Sequence, residues 1–231
     1  MSTIEGIRVI GFDADDTLWS NEPYFREAEE KFCDLMEGYL PRHSMQRELF
    51  ATEIENLKLY GYGIKAFMLS MVETALKTGG DTLPVSVVAS IIEIGRTQLE
   101  LPVILLEGVE EVLKALHGKY RLVMVTKGDL LDQERKLERS GLAGYFHHIE
   151  IVSEKRESDY RKLLRHLDIR PEEFMMVGNS LKSDVLPVLE LGCYGVHVPF
   201  HTTWEHEQVD VIVTDPKFRQ AEHANEILAW L

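Results

Sequence analysis

Residues 8 to 19 read Arg-Val-Ile-Gly-Phe-Asp-Ala-Asp-Asp-Thr-Leu-Trp, and this stretch decides the fold that we expect. Its first part, with Val9, Ile10 and Phe12, is the apolar and β-branched run of a buried strand. The strand ends in three carboxylates, which are costly to bury without compensation. In an open α/β sheet the ligand crevice lies at the carboxyl ends of the strands. We therefore expect the functional site here.

Two interpretations of these carboxylates are open. Asp13 and Asp15 are two residues apart, so on extended backbone their side chains point the same way. Like charges that close need a cation, a shared proton or a substrate rich in hydrogen-bond donors. In the alternative interpretation Asp15 and Asp16, helped by Thr17, cap a turn or the start of a helix. The order strand, Asp, x, Asp, x, Thr favours a functional site.

The chain from residue 107 onward alternates helices with short apolar strands. We expect strands at 122–126, 149–152, 174–178, 194–198 and 211–213, and helices at 108–117, 130–140, 157–167, 181–191 and the C-terminus. This alternation predicts an α/β fold with a doubly wound parallel sheet, to which the strand before Asp13 also belongs.

The intervening segment has a different character. Amphipathic helices are predicted over 22–39, 44–60, 64–78 and 85–99, separated by proline and glycine, and no part of it has a strand pattern. We therefore expect an α/β core formed by 1–20 and 101–231, with 21–100 inserted as an all-helical domain.

Composition restricts the partners and the compartment. Lys and Arg number 25 against 39 Asp and Glu, a formal charge of −14 that argues against nucleic acid or anionic membrane as the main partner. The two cysteines, Cys33 and Cys193, predict a reducing compartment rather than a disulfide framework. No signal region or membrane-length apolar run is apparent, so we expect a soluble cytoplasmic protein; its oligomeric state stays open.

Polar residues follow the predicted strands at four places. They are Asp13 and Asp15, Thr126 with Lys127 and Gly128, Lys155, and the run from Asn179 to Asp184. In order and spacing they resemble the four motifs of the haloacid dehalogenase-like (HAD) superfamily. The helical insertion resembles the cap domain found between the first two motifs of that superfamily.

The resemblance implies a role for each residue. Asp13 would be the nucleophile that forms an aspartyl-phosphate, and Asp15 would be the acid that protonates the leaving group and then the base that activates water. Thr126, Lys127 and Gly128 would bind the phosphoryl group, and Lys155 would balance its charge and that of Asp13.

The resemblance also implies a Mg²⁺ cofactor. Its ligands would be Asp13, the backbone carbonyl of Asp15, Asn179 and Asp184. Asn179 replaces an aspartate that is common in the superfamily, but its amide oxygen is still a suitable ligand. Whether Asn179 or Asp184 binds the metal directly is left open.

Several assignments have competitors. Lys155 has the alternative of a solvated loop lysine, with Lys127 and Lys162 as rival cations. Lys127 either adds a second cation at the phosphate or pairs with Asp129. The stretch His201–His206 follows the last core strand on the same sheet edge, where it either reaches the substrate or is an ordinary exposed loop.

The function predicted from the resemblance is Mg²⁺-dependent hydrolysis of a small phosphate monoester, of the nucleotide or sugar phosphate class. A phosphomutase uses the same acid and base and is one alternative. A 2-haloacid dehalogenase is another, although a departing halide needs no proton and therefore no Asp15. The non-enzyme alternative is a binding module, which the intact motifs disfavour.

Overall fold

The structure is a computed structural model and describes residues 3–231. The strands are β1 (Val9–Phe12), β2 (Arg121–Lys127), β3 (His148–Val152), β4 (Phe174–Gly178), β5 (Tyr194–His197) and β6 (Phe218–Gln220). The α-helices are α1 (Glu22–Leu35), α2 (Arg42–Tyr60), α3 (Ile64–Gly79), α4 (Val85–Glu100), α5 (Val109–Leu116), α6 (Leu130–Ser140), α7 (Glu157–His166) and α8 (Leu186–Glu190). A π-helical turn, Leu181–Val185, leads into α8.

The six strands form one parallel sheet in the order β3-β2-β1-β4-β5-β6. This confirms the predicted α/β class. The strand order reverses between β1 and β4, and Phe12, the last residue of β1, pairs with Val177 near the end of β4. The residues that follow β1 and β4 therefore lie at the topological switch point, where open α/β sheets bind ligands.

Helices cover both faces of the sheet, as expected for parallel strands. One face, which includes Ile10 and Phe12 of β1, packs against α5, α6 and the C-terminal segment. The other face, which includes Val9, packs against α7 and α8. Consecutive residues of β1 thus enter different cores, which explains why its sequence is a continuous apolar run rather than an alternating one.

The chain divides into two compact units, which we describe separately. One unit comprises residues up to 22 together with 103–127 and 133–231, and contains the sheet. The second comprises 23–102 and 128–132, with a core of its own formed among its four long helices by Phe32, Met36, Met45, Leu49, Met71 and Ile91. Across residues 3–231, no helix combines the length and apolar character needed to cross a membrane.

Three predictions of secondary structure were wrong. Residues 211–213 are not a strand, because the edge of β5 pairs with Phe218–Gln220 instead, and Ile212 is left 92% exposed. The C-terminal helix is a short 3₁₀-helical segment, Ala224–Ala229. The first helix ends at Leu35 rather than at residue 39, and a turn carries the chain from there to Pro41.

Candidate active site

A buried ion cluster lies at the carboxyl end of the sheet. The ammonium Nζ of Lys155 donates to Asp13 Oδ1 at 2.5 Å and to Asp184 Oδ1 at 2.6 Å. Asp13 follows β1, Lys155 follows β3, and Asp184 lies in the π-helical turn after β4. Three residues far apart in sequence are therefore brought together because parallel strands end at one edge.

The turn after β4 aims Asp184 at this cluster. The backbone N–H of Ser180 donates to Asp184 Oδ2 at 3.0 Å, and the N–H of Asp184 donates to the carbonyl of Ser180 at 2.9 Å. Gly178 leaves room for the carboxylate, because a Cβ at this position would lie 2.2 Å from Asp184 Oδ2. Glycine at the end of β4 is thus a steric requirement of the site.

The surroundings of the cluster shift the ionisation of its members. Burial raises the pKa of Asp13 to about 7; Lys155 opposes this shift and Asp184 adds to it. Burial alone would lower the pKa of Lys155, but the two carboxylates raise it above its ordinary value. Lys155 is therefore held as an ammonium.

The hydroxyl group of Thr17 connects Asn179 to the ion cluster. Thr17 Oγ1 lies 3.2 Å from Asp13 Oδ2 and 3.4 Å from Asn179 Oδ1, and it accepts the backbone N–H of Asn179 at 3.0 Å. The predicted metal ligands Asp13, Asn179 and Asp184 are thus linked by a short chain of contacts.

Asp15 has an environment of its own. Its carboxylate accepts hydrogen bonds from Trp19 Nε1 at 2.7 Å, Gln133 Nε2 at 2.8 Å and Lys136 Nζ at 3.0 Å. Gln133 and Lys136 lie on α6, three residues apart and therefore on the same face of the helix. This arrangement fixes Asp15 from outside the ion cluster.

Asp16 fits the alternative interpretation, in which an aspartate caps a helix. Its carboxylate accepts the backbone N–H groups of Asn21 and Glu22, where α1 begins, at 2.8 and 3.0 Å. Its φ of 61° is a left-handed conformation that aspartate tolerates better than most residues. Capping is therefore correct for Asp16, whereas Asp15 bonds the three side chains described above.

The remaining predicted residues lie around the end of β2. Thr126 is buried, and its hydroxyl donates to the carbonyl of Lys127 at 3.2 Å. Lys127 Nζ donates to Glu207 Oε1 at 2.6 Å and to Ser183 Oγ at 3.0 Å. Gly128 has a φ of 137°, which favours glycine. The rival Lys162 pairs with Asp159 and its side chain is 74% exposed.

Three residues near this edge were missed from the sequence. Gln133 and Lys136 are part of an ordinary amphipathic helix, and no local signal marks them. Glu207 follows the stretch His201–His206, which we singled out only for its position. Only the fold shows that these three residues face the carboxyl edge of the sheet.

The predicted ligands of Mg²⁺ are chemically suited to that ion. Within residues 3–231, no three His, Cys, Asp or Glu side chains are grouped closely enough to hold a metal ion by themselves. Mg²⁺ needs only one or two carboxylates, because water and substrate oxygens complete its coordination. The two carboxylates of Asp13 and Asp184 share the single ammonium of Lys155. All the candidate ligands offer oxygen, the donor that Mg²⁺ prefers.

Comparisons with known proteins identify the family of the chain. A family model described as haloacid dehalogenase-like hydrolase matches residues 7–192. The chain belongs to this family. The predicted resemblance and the prediction of a hydrolase are thereby confirmed, and the match includes all the site residues predicted from the sequence.

Individual members of the haloacid dehalogenase-like family extend the comparison. A haloacid dehalogenase-like hydrolase from Xanthomonas campestris has 40% sequence identity and a TM-score of 0.86, over 100% of this chain and 93% of that one. A glyceraldehyde 3-phosphate phosphatase from Methanopyrus kandleri is 24% identical over 83% of this chain and 84% of its own length. Human N-acylneuraminate-9-phosphatase is 30% identical over 38% of each chain.

Proposed function

We propose that this hydrolase cleaves a small phosphate monoester through a phosphorylated Asp13, with Mg²⁺ as its cofactor. The observation that carries the proposal is the ammonium of Lys155 between the carboxylates of Asp13 and Asp184, at 2.5 and 2.6 Å. A carboxylate held beside a cation at the end of a parallel strand is suited to attack an anionic phosphate. The two relatives named as phosphatases support the same reaction.

In the first half of the reaction Asp13 attacks phosphorus, and the bond from phosphorus to the ester oxygen breaks. Asp15 gives its proton to that leaving oxygen, so an alcohol departs rather than an alkoxide. Lys155 offsets negative charge on the transferring group, while Thr126, Lys127 and Gly128 bind its oxygens.

In the second half a water molecule hydrolyses the aspartyl-phosphate. Asp15, now ionised, takes a proton from this water as it attacks phosphorus. Inorganic phosphate leaves and Asp13 is restored. The hydrogen bonds from Trp19, Gln133 and Lys136 keep the carboxylate of Asp15 in one orientation for both proton transfers.

The metal would be held by Asp13, Asp184, Asn179 and the backbone carbonyl of Asp15. When bound, Mg²⁺ supplies positive charge that offsets the charges of the phosphate and the carboxylates. We assign residues 1–20 and 101–231 to the catalytic core, and we assign 21–100, the helical insertion, to the cap that selects the substrate.

The relatives also bear on the substrate and its setting. Their names point to phosphorylated carbohydrates rather than nucleotides as the class to test first. A formal charge of −14 disfavours nucleic acid as a partner. Cys33 and Cys193 are free thiols, which suits a protein of the reducing cytoplasm.

Phosphate release from a panel of esters tests the proposal. The panel contains glyceraldehyde 3-phosphate, hexose phosphates, nucleoside monophosphates and p-nitrophenyl phosphate, each with Mg²⁺ and with EDTA. We expect turnover that requires Mg²⁺ and falls at least about 1,000-fold in Asp13→Asn, because the amide is no nucleophile. The exposed Asp210→Asn is the matched control and should behave like the wild type.

Two outcomes would contradict the proposal. One is phosphate release that persists unchanged in Asp13→Asn, since Asp13 would then not carry the phosphoryl group. The other is halide release from a 2-haloacid with no phosphate release from any ester, which would indicate the dehalogenase alternative.

A further inference from the structure

One acidic side chain in the loop between β5 and β6 is largely buried. This residue is Glu207, the last of a short 3₁₀-helical turn that begins at Glu205. Its side chain is only 12% exposed, whereas Glu205 in the same turn is exposed. A carboxylate is rarely buried unless neighbouring groups compensate its charge, so its partners are informative.

Glu207 has three such partners. Its Oε1 accepts from Lys127 Nζ at 2.6 Å, and its Oε2 accepts from Ser180 Oγ and Ser183 Oγ, each at 2.6 Å. Burial alone would raise the pKa of Glu207, but Lys127 and the two hydroxyls lower it to about 2. The carboxylate is therefore an anion throughout the neutral pH range.

The two serines connect Glu207 to Asp184. Ser180 Oγ donates to Glu207 and accepts the backbone N–H of Ser183 at 3.1 Å. The backbone N–H of Ser180 in turn donates to Asp184 Oδ2 at 3.0 Å. Movement of Ser180 would therefore move the carboxylate that binds Lys155.

Glu207 also contacts the ammonium of Lys127. Lys127 directly follows Thr126 at the end of β2, and its ammonium contacts both Glu207 and Ser183. One carboxylate thus ties the end of β2 to the turn after β4. These segments carry two of the four motifs recognised in the sequence.

We propose that Glu207 is a positioning residue, which braces the turn that carries Asp184 and holds the ammonium of Lys127 in place. The consequence for turnover rests on the proposed phosphatase function, but the brace itself does not. Outer residues that orient ligands and catalytic groups typically account for a 10- to 100-fold change in activity when they are replaced.

The main test replaces the carboxylate by an amide of equal size. In Glu207→Gln the charge that pairs with Lys127 is lost, and one of the carboxylate oxygens becomes an NH₂ group that faces donors. Glu205→Gln is the matched control, because it makes the same chemical change at an exposed position of the same turn.

Hydrogen exchange of the full chain, followed by mass spectrometry, measures the brace without any substrate. We expect faster exchange in peptides covering 178–186 for Glu207→Gln, because the amides of Ser183 and Asp184 are bonded within this turn. Glu205→Gln should match the wild type. Unchanged exchange in 178–186 would overturn the proposal. A rise that extends to 64–79 would also do so, because it would indicate general destabilisation.

Kinetics on p-nitrophenyl phosphate gives the second readout. We expect kcat to fall about 10- to 100-fold in Glu207→Gln because the turn of Asp184 loses its brace, and KM to rise because Lys127 loses its partner. A wild-type kcat in Glu207→Gln would overturn the proposal. If the wild-type protein hydrolyses no ester, the proposed function fails, and hydrogen exchange alone decides whether Glu207 is a brace.

Discussion

Asp13 and Asp15 are separated by one residue and have opposite surroundings. Asp13 has a side-chain exposure of 10% and shares the ammonium of Lys155 with Asp184, in a cluster assembled from three strand ends. Asp15 is 23% exposed and is held by Trp19 and by two residues of α6. In the first cluster one ammonium is shared by two carboxylates, and in the second one carboxylate is held by an ammonium, an indole and an amide.

The difference matches the two tasks of the proposed reaction. A nucleophile must be held at a fixed distance from a cation and from phosphorus, which buried ionic contacts achieve. An acid that later becomes a base must exchange its proton with a leaving group and then with water, which requires access. Asp16, the next carboxylate along the chain, caps α1 and belongs to neither arrangement.

Among substitutions that leave both aspartates in place, the largest effect is expected for Gly178→Ala, which disturbs the surroundings of Asp13. The new Cβ would lie 2.2 Å from Asp184 Oδ2, so the carboxylate or the strand end must move. We expect kcat to fall at least about 100-fold, as misplacement of a catalytic group by about 1 Å typically causes. We also expect the free energy of unfolding to fall by about 1–3 kcal/mol, as in overpacked cores.

Gly144→Ala is the control for that substitution. A Cβ at Gly144 would meet no atom within 4 Å, so kcat and the urea midpoint should stay at their wild-type values. Full activity in Gly178→Ala would show that the position of Asp184 is not critical.

A smaller effect is expected from weakening the Asp15 side with Lys136→Met. The substitution keeps a side chain of similar length on α6 but removes the ammonium that donates to Asp15 at 3.0 Å. A hydrogen bond to a charged group contributes about 1.5–3 kcal/mol, so we expect kcat to fall about 10- to 100-fold. Steady-state kinetics should show this loss.

Arg135→Met removes a cation from an exposed position of the same helix and should leave kcat unchanged. Equal losses in Arg135→Met and Lys136→Met would mean that the general charge of α6 matters, rather than the contact with Asp15.

The smallest effect on catalysis is expected for Trp19→Phe. This substitution separates two roles of Trp19, its hydrogen bond to Asp15 and its packing in the core. Phenylalanine keeps an aromatic ring in the core but cannot donate to Asp15 Oδ1, while Gln133 and Lys136 still do. We expect kcat to fall less than about 10-fold. Since Trp19 is buried, its smaller replacement should lower the free energy of unfolding by about 1–3 kcal/mol. Urea unfolding measures the second effect; a large loss of kcat with unchanged stability would contradict this division.

Much of the fold was predictable because its signals are local. The apolar run Val9–Phe12 and the strand Phe174–Gly178 are continuous in sequence, and both strands lie where we expected them. The expected strand at 211–213 failed because a strand also needs a free edge to pair with, and β5 pairs with Phe218–Gln220. Pairing is a property of the whole sheet, so no local pattern determined it.

The sequence by itself determined the parallel α/β class and the candidate residues at the strand ends, because periodicity and residue type can be read from short stretches of sequence. Only the tertiary structure decided that Lys155 bridges Asp13 and Asp184, and that Gln133 and Lys136 hold Asp15. It also decided that Glu207 ties Lys127 to the turn of Ser180. These contacts join residues that are 27 to 142 positions apart, and such distances close only when the sheet brings its strand ends together.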